Sequence, residues 1–571
     1  MGYMTRLPAW VLAIGLGLGT AVNADTLSGA YLAANQAAAE ADFTAAARYY
    51  AEALRSDPTN PQLLEQAALA QLSLGNIGLA SEFATQLEDA GHNSQVADLS
   101  ITGALARAEE FAALAERADG NQALGPLTSG LLVAWARLGE GNVDAANEAF
   151  DALAAQDGLK GFALYHKALA TASVGNFGGA QEIFEATEGN PAMMTRRGVL
   201  SRIEVLSQLD RNEDALNFLD AAFGANLDPG LAALRDSLVA GDRVPFDIIT
   251  SARDGVAEVY FSIATALQNE AEDEYTLIYA TIADYIRPDH VEATLMTANL
   301  LDKLERYDLA IEAYDRVPRD SFAFHIAELG RAEALYAAGR VEASIETLRQ
   351  LAETHGQLSQ VHSTLGDILR REKRFEDAIA PYDRAIALDE AAGEPRWFAF
   401  YTRGIVQERV GNWEAAEADF RRALDLNPDQ PQVLNYLGYS LVEKQIKLDE
   451  ALGMIETAVE KQPNSGYIVD SLGWVLYRLG RYDEAVGHME RAVELEAVDP
   501  IVNDHLGDVY WAVGRKLEAE FQWRRALSFI TEDTNLEEVK PDRIRRKLEV
   551  GLDAVLEEEG APPLQVARDD G

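Results

Sequence analysis

Residues 470–492 read DSLGWVLYRLGRYDEAVGHMERA, and residues 504–526 read DHLGDVYWAVGRKLEAEFQWRRA. Leu472-Gly473, Leu476, Gly480, Tyr482, Ala485, Met489 and Ala492 of the first stretch align with Leu506-Gly507, Tyr510, Gly514, Leu517, Ala519, Trp523 and Ala526 of the second. Leu437-Gly438 opens a copy one period earlier, so the repeat is about 34 residues long, the size of a helix-turn-helix unit that stacks on its neighbours. Leu365-Gly366 with Phe375, Ala378, Tyr382 and Ala385 keeps the frame, as do Gly404, Gly411, Trp413, Ala416, Phe420, Ala423 and Pro428. Small residues at Gly473 and Ala485 let two antiparallel helices approach, while Leu476 and Met489 fill the space beside them. Gly480 ends the first helix in a left-handed turn, and Pro428 or Pro463 closes a unit where no helical N–H is required.

The copies degrade toward the N-terminus and stay legible. Ala46, Tyr50, Ala53 and Pro58 mark one second helix; Gly75 with Ala80, Gly141 with Ala146 and Phe150, and Gly175 with Ala180 and Phe184 mark others. Residues 95–125 are Ala-rich and helical in character but lack the Gly and aromatic markers. The spacing fails between Phe223 and Gly255, where Asp228-Pro229-Gly230 and Gly241-Asp242-Arg243-Val244-Pro245 intervene. It resumes with Ala283 and Pro288, Ala310 and Tyr314, and Gly339 with Leu348. The expectation is an all-α solenoid of about 12–14 helical hairpins. Its organisation is expected to be a signal peptide at 1–24, a degenerate array at 25–240, a break at 241–255, a second array at 256–533, a capping helix at 534–560 and a disordered tail at 561–571.

Arg6, the apolar run Ala9 to Val22 and the small-residue site Val22-Asn23-Ala24 read as a cleavable export signal. The run of about 14 apolar residues, interrupted by Gly15, Gly17 and Gly19, is short of the about 20 that span a bilayer. The expected location of the mature chain is therefore the periplasm, with no transmembrane segment. The absence of Cys excludes disulfides, thiolate metal sites, Cys nucleophiles and lipid attachment through Cys. With 49 basic and 93 acidic residues the net charge is -44, which repels nucleic acid and anionic lipid.

No zinc-protease helix, nucleophile elbow or dinucleotide fingerprint occurs, and the 8 His are scattered, His355 and His362 being the nearest pair considered for a metal. No catalysis, cofactor or metal is expected. The repeat offers instead a wall of first helices. Residues three before, one after and four after each marker Gly share a helix face: Asn435, Tyr439 and Val442; Asp470, Trp474 and Tyr477; Asp504, Asp508 and Trp511. Aromatics beside Asn and Asp suit a partner's backbone and side chains. Five residues after the marker stand Arg371, Arg409 and Arg478, a ladder for an acidic partner that Glu443 interrupts.

The Leu-Gly, Gly-aromatic, Ala, aromatic, Ala, Pro signature resembles the tetratricopeptide repeat family, which implies protein or peptide binding in a groove lined by those first-helix residues. The stretches Leu434-Asn435-Tyr436-Leu437-Gly438-Tyr439, Asp470-Ser471-Leu472-Gly473-Trp474 and His505-Leu506-Gly507-Asp508 are similar to long envelope repeat proteins of Gram-negative bacteria. These include lipoprotein adaptors for carboxyl-terminal processing proteases, although the lipidated Cys of those adaptors is missing. The resemblance implies a scaffold that recruits a protease or cell-wall hydrolase to its substrates. Two alternatives are an assembly scaffold for an outer-membrane or secretion complex and an enzyme with an unrecognised carboxylate site.

Overall fold

The computed structural model describes residues 27–187, 189–224, 227–531, 534, 536–561 and 563–564. The predicted signal peptide and, in the tail, residues 562 and 565–571 lie outside them. Among the described residues every regular element is a helix, as the repeat requires, and none is long and apolar enough to cross a membrane. The described residues form two compact units, divided between Thr347 and Leu348.

The first unit opens with hairpins running from Leu27–Ala39 with Phe43–Ser56 to Arg196–Gln208 with Asn212–Phe223. Gly-Asn pairs make several of their turns. Gly141 takes a left-handed φ of 81°, and the Asn142 side chain then accepts the N–H of Ala145 to start the second helix. In the marker-poor copy Gln95–Arg107 with Phe111–Ala118, Glu109 takes the same left-handed conformation at φ 58°. A hairpin is thus present where the glycine signal is not.

After Pro229–Ala240 the chain leaves helix at 242–251 and runs back along Arg196–Gln208: the Val244 N–H donates to Ser207 Oγ at 2.9 Å and Arg197 Nη2 donates to Ile248 O at 3.3 Å. The next hairpin, Ala252–Leu267 with Asp273–Ile286, packs onto the first helices of the preceding hairpins: Ala252–Leu267 on Gly125–Gly139, and Asp273–Ile286 on Gln95–Arg107 and Pro61–Ser73. Gly255 permits this docking, since a Cβ there would stand 2.1 Å from the Trp135 ring. Thr102 and Tyr260 share a hydroxyl hydrogen bond of 2.7 Å, Thr281 Oγ1 donates to Leu72 O at 3.0 Å, and Arg107 Nη1 donates to Ile286 O at 3.0 Å. Placing a domain break at 241–255 separates this hairpin from the helices that bury it. In the structure the interruption and the hairpin both lie within the first unit.

The second unit holds hairpins from Ser359–Arg371 with Phe375–Ala391 to Pro500–Ala512 with Lys516–Ser528. The frame read from the sequence is built as expected. A Cβ on Gly473 would meet Met489 Cγ at 2.7 Å, one on Gly404 would meet Phe420 at 2.7 Å, and Ala378, Ala416, Ala451, Ala485 and Ala519 are fully buried. The expected single cap is in pieces: Leu536–Val539, Pro541–Val550 and Leu552–Glu558. Gly551 at φ 85° breaks it, and the Trp511 indole lies where a Cβ on Gly551 would point. Arg543 and Arg546 pair with Glu559 and Glu558, offsetting their clash with the helix end.

Candidate partner-binding face

The first helices of the second unit present the residues singled out from the sequence, and the structure sorts them by what each touches. A hydrogen bond within the hairpin accounts for much of the sorting. Tyr50, Tyr314, Tyr382 and Trp523 each donate to a polar side chain fifteen positions earlier, at Asn35, Asn299, Asp367 and Asp508, over 2.8, 2.6, 2.7 and 2.9 Å respectively. The acceptor always follows the small residue of the frame: Ala34, Ala298, Gly366 or Gly507. Asp508 is such an acceptor. Where the second helix carries Phe420, Ile455 or Met489 there is no donor, and the corresponding side chains Ile405, Tyr439 and Trp474 are only partly buried.

Asp504, Asp508 and Trp511, expected to face a partner, face the C-terminal cap. Lys547 is fully buried and donates to Asp504 Oδ1 and Oδ2 at 2.7 and 2.8 Å and to Asp508 Oδ1 at 2.6 Å. Burial raises the Asp504 carboxyl above its ordinary pKa, while Lys547 pulls it back. Trp511 Nε1 donates to Asp553 Oδ2 at 2.9 Å, and the Lys516 ammonium sits 4.4 Å over its ring. The sequence carried no sign of this, because the cap lies outside the repeat frame.

Asp470 and Trp474 meet the next repeat. His505 Nδ1 bonds Asp470 Oδ2 at 2.9 Å; burial works against the imidazolium, but Asp470 beside it overcomes this and raises the His505 pKa. The Trp474 indole stacks on His505 at 4.0 Å between centroids and on Tyr477 at 4.9 Å, and donates Nε1 to Glu443 Oε1 at 3.1 Å. Tyr477 is buried, and its phenol is pushed up by burial and by Asp508. Val442 is buried, Tyr439 is half-buried, and Asn435 is half-buried with Oδ1 inaccessible.

The basic series is not a free ladder. Arg478 lies 3.5 Å from Glu443 and Arg409 lies 4.0 Å from Glu408, while Arg371 is exposed. Glu443, the residue that breaks the series, therefore accepts from Trp474 and pairs with Arg478. Two aromatics on this face escaped the sequence reading: Phe398 and Tyr467, 50% and 57% exposed. Each stands six residues before a marker Gly, Gly404 or Gly473, and seven before the position of Ile405 or Trp474, hence on the same helix face. An aromatic at that register was the available signal. The arrangement can hold an extended or helical polypeptide against an aromatic surface edged by Glu443, Arg409 and Arg478. His355 and His362 are used locally, bonding Thr354 Oγ1 and Gly356 O at 2.9 and 3.0 Å.

Residues 276–324, 328–395, 401–466, 444–500 and 471–528 match the model of the tetratricopeptide repeat. The TPR repeat-containing protein PA4667 of Pseudomonas aeruginosa is 26% identical over 163 residues, covering 27% of this chain and 26% of that protein. The match thus spans about a quarter of the curated relative's length. Among solved structures, the APC/C hetero-tetramer Cut9-Hcn1 is 14% identical with a TM-score of 0.37, covering 93% of this chain and 97% of that one. Yeast Tom70 is 13% identical with a TM-score of 0.36, covering 93% and 98%.

Proposed function

We propose, from the premise that residues 276–528 carry tetratricopeptide repeats, that the chain is a non-catalytic scaffold whose second unit grips another polypeptide on the face of Tyr439, Tyr467 and Trp474. Proteins built of this repeat bind protein partners. The observation that carries the reading is the setting of Trp474: an accessible indole already fixed by His505, Tyr477 and Glu443, so that little ordering entropy remains to be lost on binding. The more concrete form is a periplasmic adaptor that brings a protease or cell-wall hydrolase to its substrates. The export signal read at 1–24 and the similarity of 434–508 to envelope repeat proteins support it.

Affinity purification from envelope extracts with the full chain and with Trp474→Ala/Tyr467→Ala tests this. The expected result is a co-purifying hydrolase, reduced about tenfold or more by the double variant, as for loss of interface hot spots, with the variant still folded and helical by circular dichroism. Recovery of a membrane assembly complex would replace the adaptor with the assembly scaffold. Equal capture by the double variant would remove the face itself.

A further inference from the structure

The first unit contains a cavity of about 560 Å³ between the helices Lys160–Ser173, Arg196–Gln208, Ala252–Leu267 and Val291–Lys303. That lies in the range of small-molecule sites, about 300–1,000 Å³. Its walls are apolar: Phe162, Pro191, Ala192, Phe261 and Met296. Its floor is a cluster of charges. Arg197 Nε donates to Glu258 Oε2 at 2.8 Å, Nη1 to Glu292 Oε2 at 3.1 Å and Nη2 to Ile248 O at 3.3 Å, and the Tyr165 hydroxyl donates to Glu258 Oε1 at 2.8 Å.

The charges do not balance. Burial works against ionisation of Glu258 and Glu292, but Arg197 beside them wins and holds both below the usual carboxylate range. His290, 3.4 Å from Glu258 and 3.6 Å from Glu292, is held below its ordinary pKa by burial and by Arg197, so it is neutral at neutral pH. Arg196 at the rim is taken by Asp228 at 2.7 Å. Two carboxylates therefore share one guanidinium whose nitrogens are all engaged. An excess negative charge beneath apolar walls is costly to leave unmatched and attracts a cation more strongly than it would in water. Glu292 is the carboxylate that reaches the opening, its side chain 21% accessible against 1% for Glu258. An anion has no such reception, because Arg197 is spent on the two glutamates.

We propose that this cavity is a binding site for an organic cation, a primary ammonium or guanidinium on an apolar stem, with the charge at Glu292 and the stem against Phe162, Phe261 and Met296. The same chemistry is offered by a free amine and by a Lys or Arg side chain of a peptide. The site does not depend on the partner face of the second unit.

Calorimetric titration of the full chain with 4-phenylbutylamine, 4-phenylbutanol and 4-phenylbutyrate tests the assignment. The amine is expected to bind at least about tenfold more tightly than the alcohol and the acid weakest of all, a preference set by charge complementarity. Glu292→Gln should remove the preference, and Ala266→Trp, at an exposed position on the cavity wall, should abolish binding of the amine without lowering the melting temperature. An amine no better than the alcohol, an undiminished preference in Glu292→Gln, or full binding in Ala266→Trp would each overturn the proposal. Parallel titration with the peptides Ac-Phe-Lys-Gly-NH2 and Ac-Phe-Nle-Gly-NH2 separates the sources. A lysine peptide tighter than the free amine assigns the site to a polypeptide, and the reverse assigns it to a small amine.

Discussion

Lys547 shows how one side chain can decide what a surface is for. Its ammonium neutralises Asp504 and Asp508 and turns two acidic residues of a groove into the anchor of a cap. Lys547→Met would leave two carboxylates buried together, a loss of about 3–5 kcal/mol from the second unit at neutral pH. Denaturant melts of wild type and variant should show that gap narrowing as the pH falls and Asp504, whose carboxyl is raised by burial, protonates; a variant as stable as wild type at pH 7 would remove the anchor. In the first unit Glu204 offers a second titrating handle. Burial, and then Asp247, push its carboxyl up to about 8, and it accepts the N–H of Asp247 at 3.2 Å. The folded state therefore holds a proton that the unfolded chain, with a carboxyl near 4.5, gives up. Its stabilising contribution is complete below pH 4.5 and lost as the pH rises through 8. Glu204→Gln keeps the shape and removes the proton, so its melting temperature should decline less than wild type between pH 5 and pH 8. Parallel declines would contradict the assignment.

At the scale of helices, close approach through glycine is the recurring device, and it predicts opposite outcomes at two glycines. Gly255→Ala would drive a Cβ into the Trp135 ring and should destabilise by about 1–3 kcal/mol in spite of better helix propensity. Gly487, on the exposed side of Tyr482–Leu495 with nothing within 4 Å, should stabilise on change to Ala by about 0.5–1 kcal/mol. Chemical denaturation of the two variants reads both signs, and a neutral or stabilising Gly255→Ala would contradict the docking of Ala252–Leu267. What was legible in the sequence follows the same division. Contacts between the two helices of a hairpin recur at fixed spacing, so Gly473 with Met489 and Gly404 with Phe420 could be read directly. The turn at Glu109 was hidden because a non-glycine residue takes the left-handed conformation there. The hydrogen bond from Trp523 to Asp508 was hidden for a different reason: Asp at that register has the same composition signal whether it meets a partner or its own hairpin. The contact of Gly255 with Trp135 joins residues far apart in the chain and has no period at all.

Across the chain, the two units differ in what their first helices are left to do. In the first unit the hairpin Ala252–Leu267 with Asp273–Ile286 covers the first helices of earlier hairpins, burying Tyr260, Leu277 and Ile282. In the second, the cap takes the face of the last hairpin and leaves Tyr439, Tyr467 and Trp474 accessible in part. The repeat signature cannot distinguish a covered face from an open one, because covering segments need not carry it. Native-state hydrogen exchange on the full chain tests the distinction most directly. Amides of Ala252–Leu267 should exchange only through global unfolding of the first unit, as slowly as those of Gly125–Gly139 on which the helix rests. Exchange of Ala252–Leu267 by a separate, lower-energy opening while Gly125–Gly139 stays protected would show that the hairpin is a removable occupant, and the account of a self-filled first unit would fail.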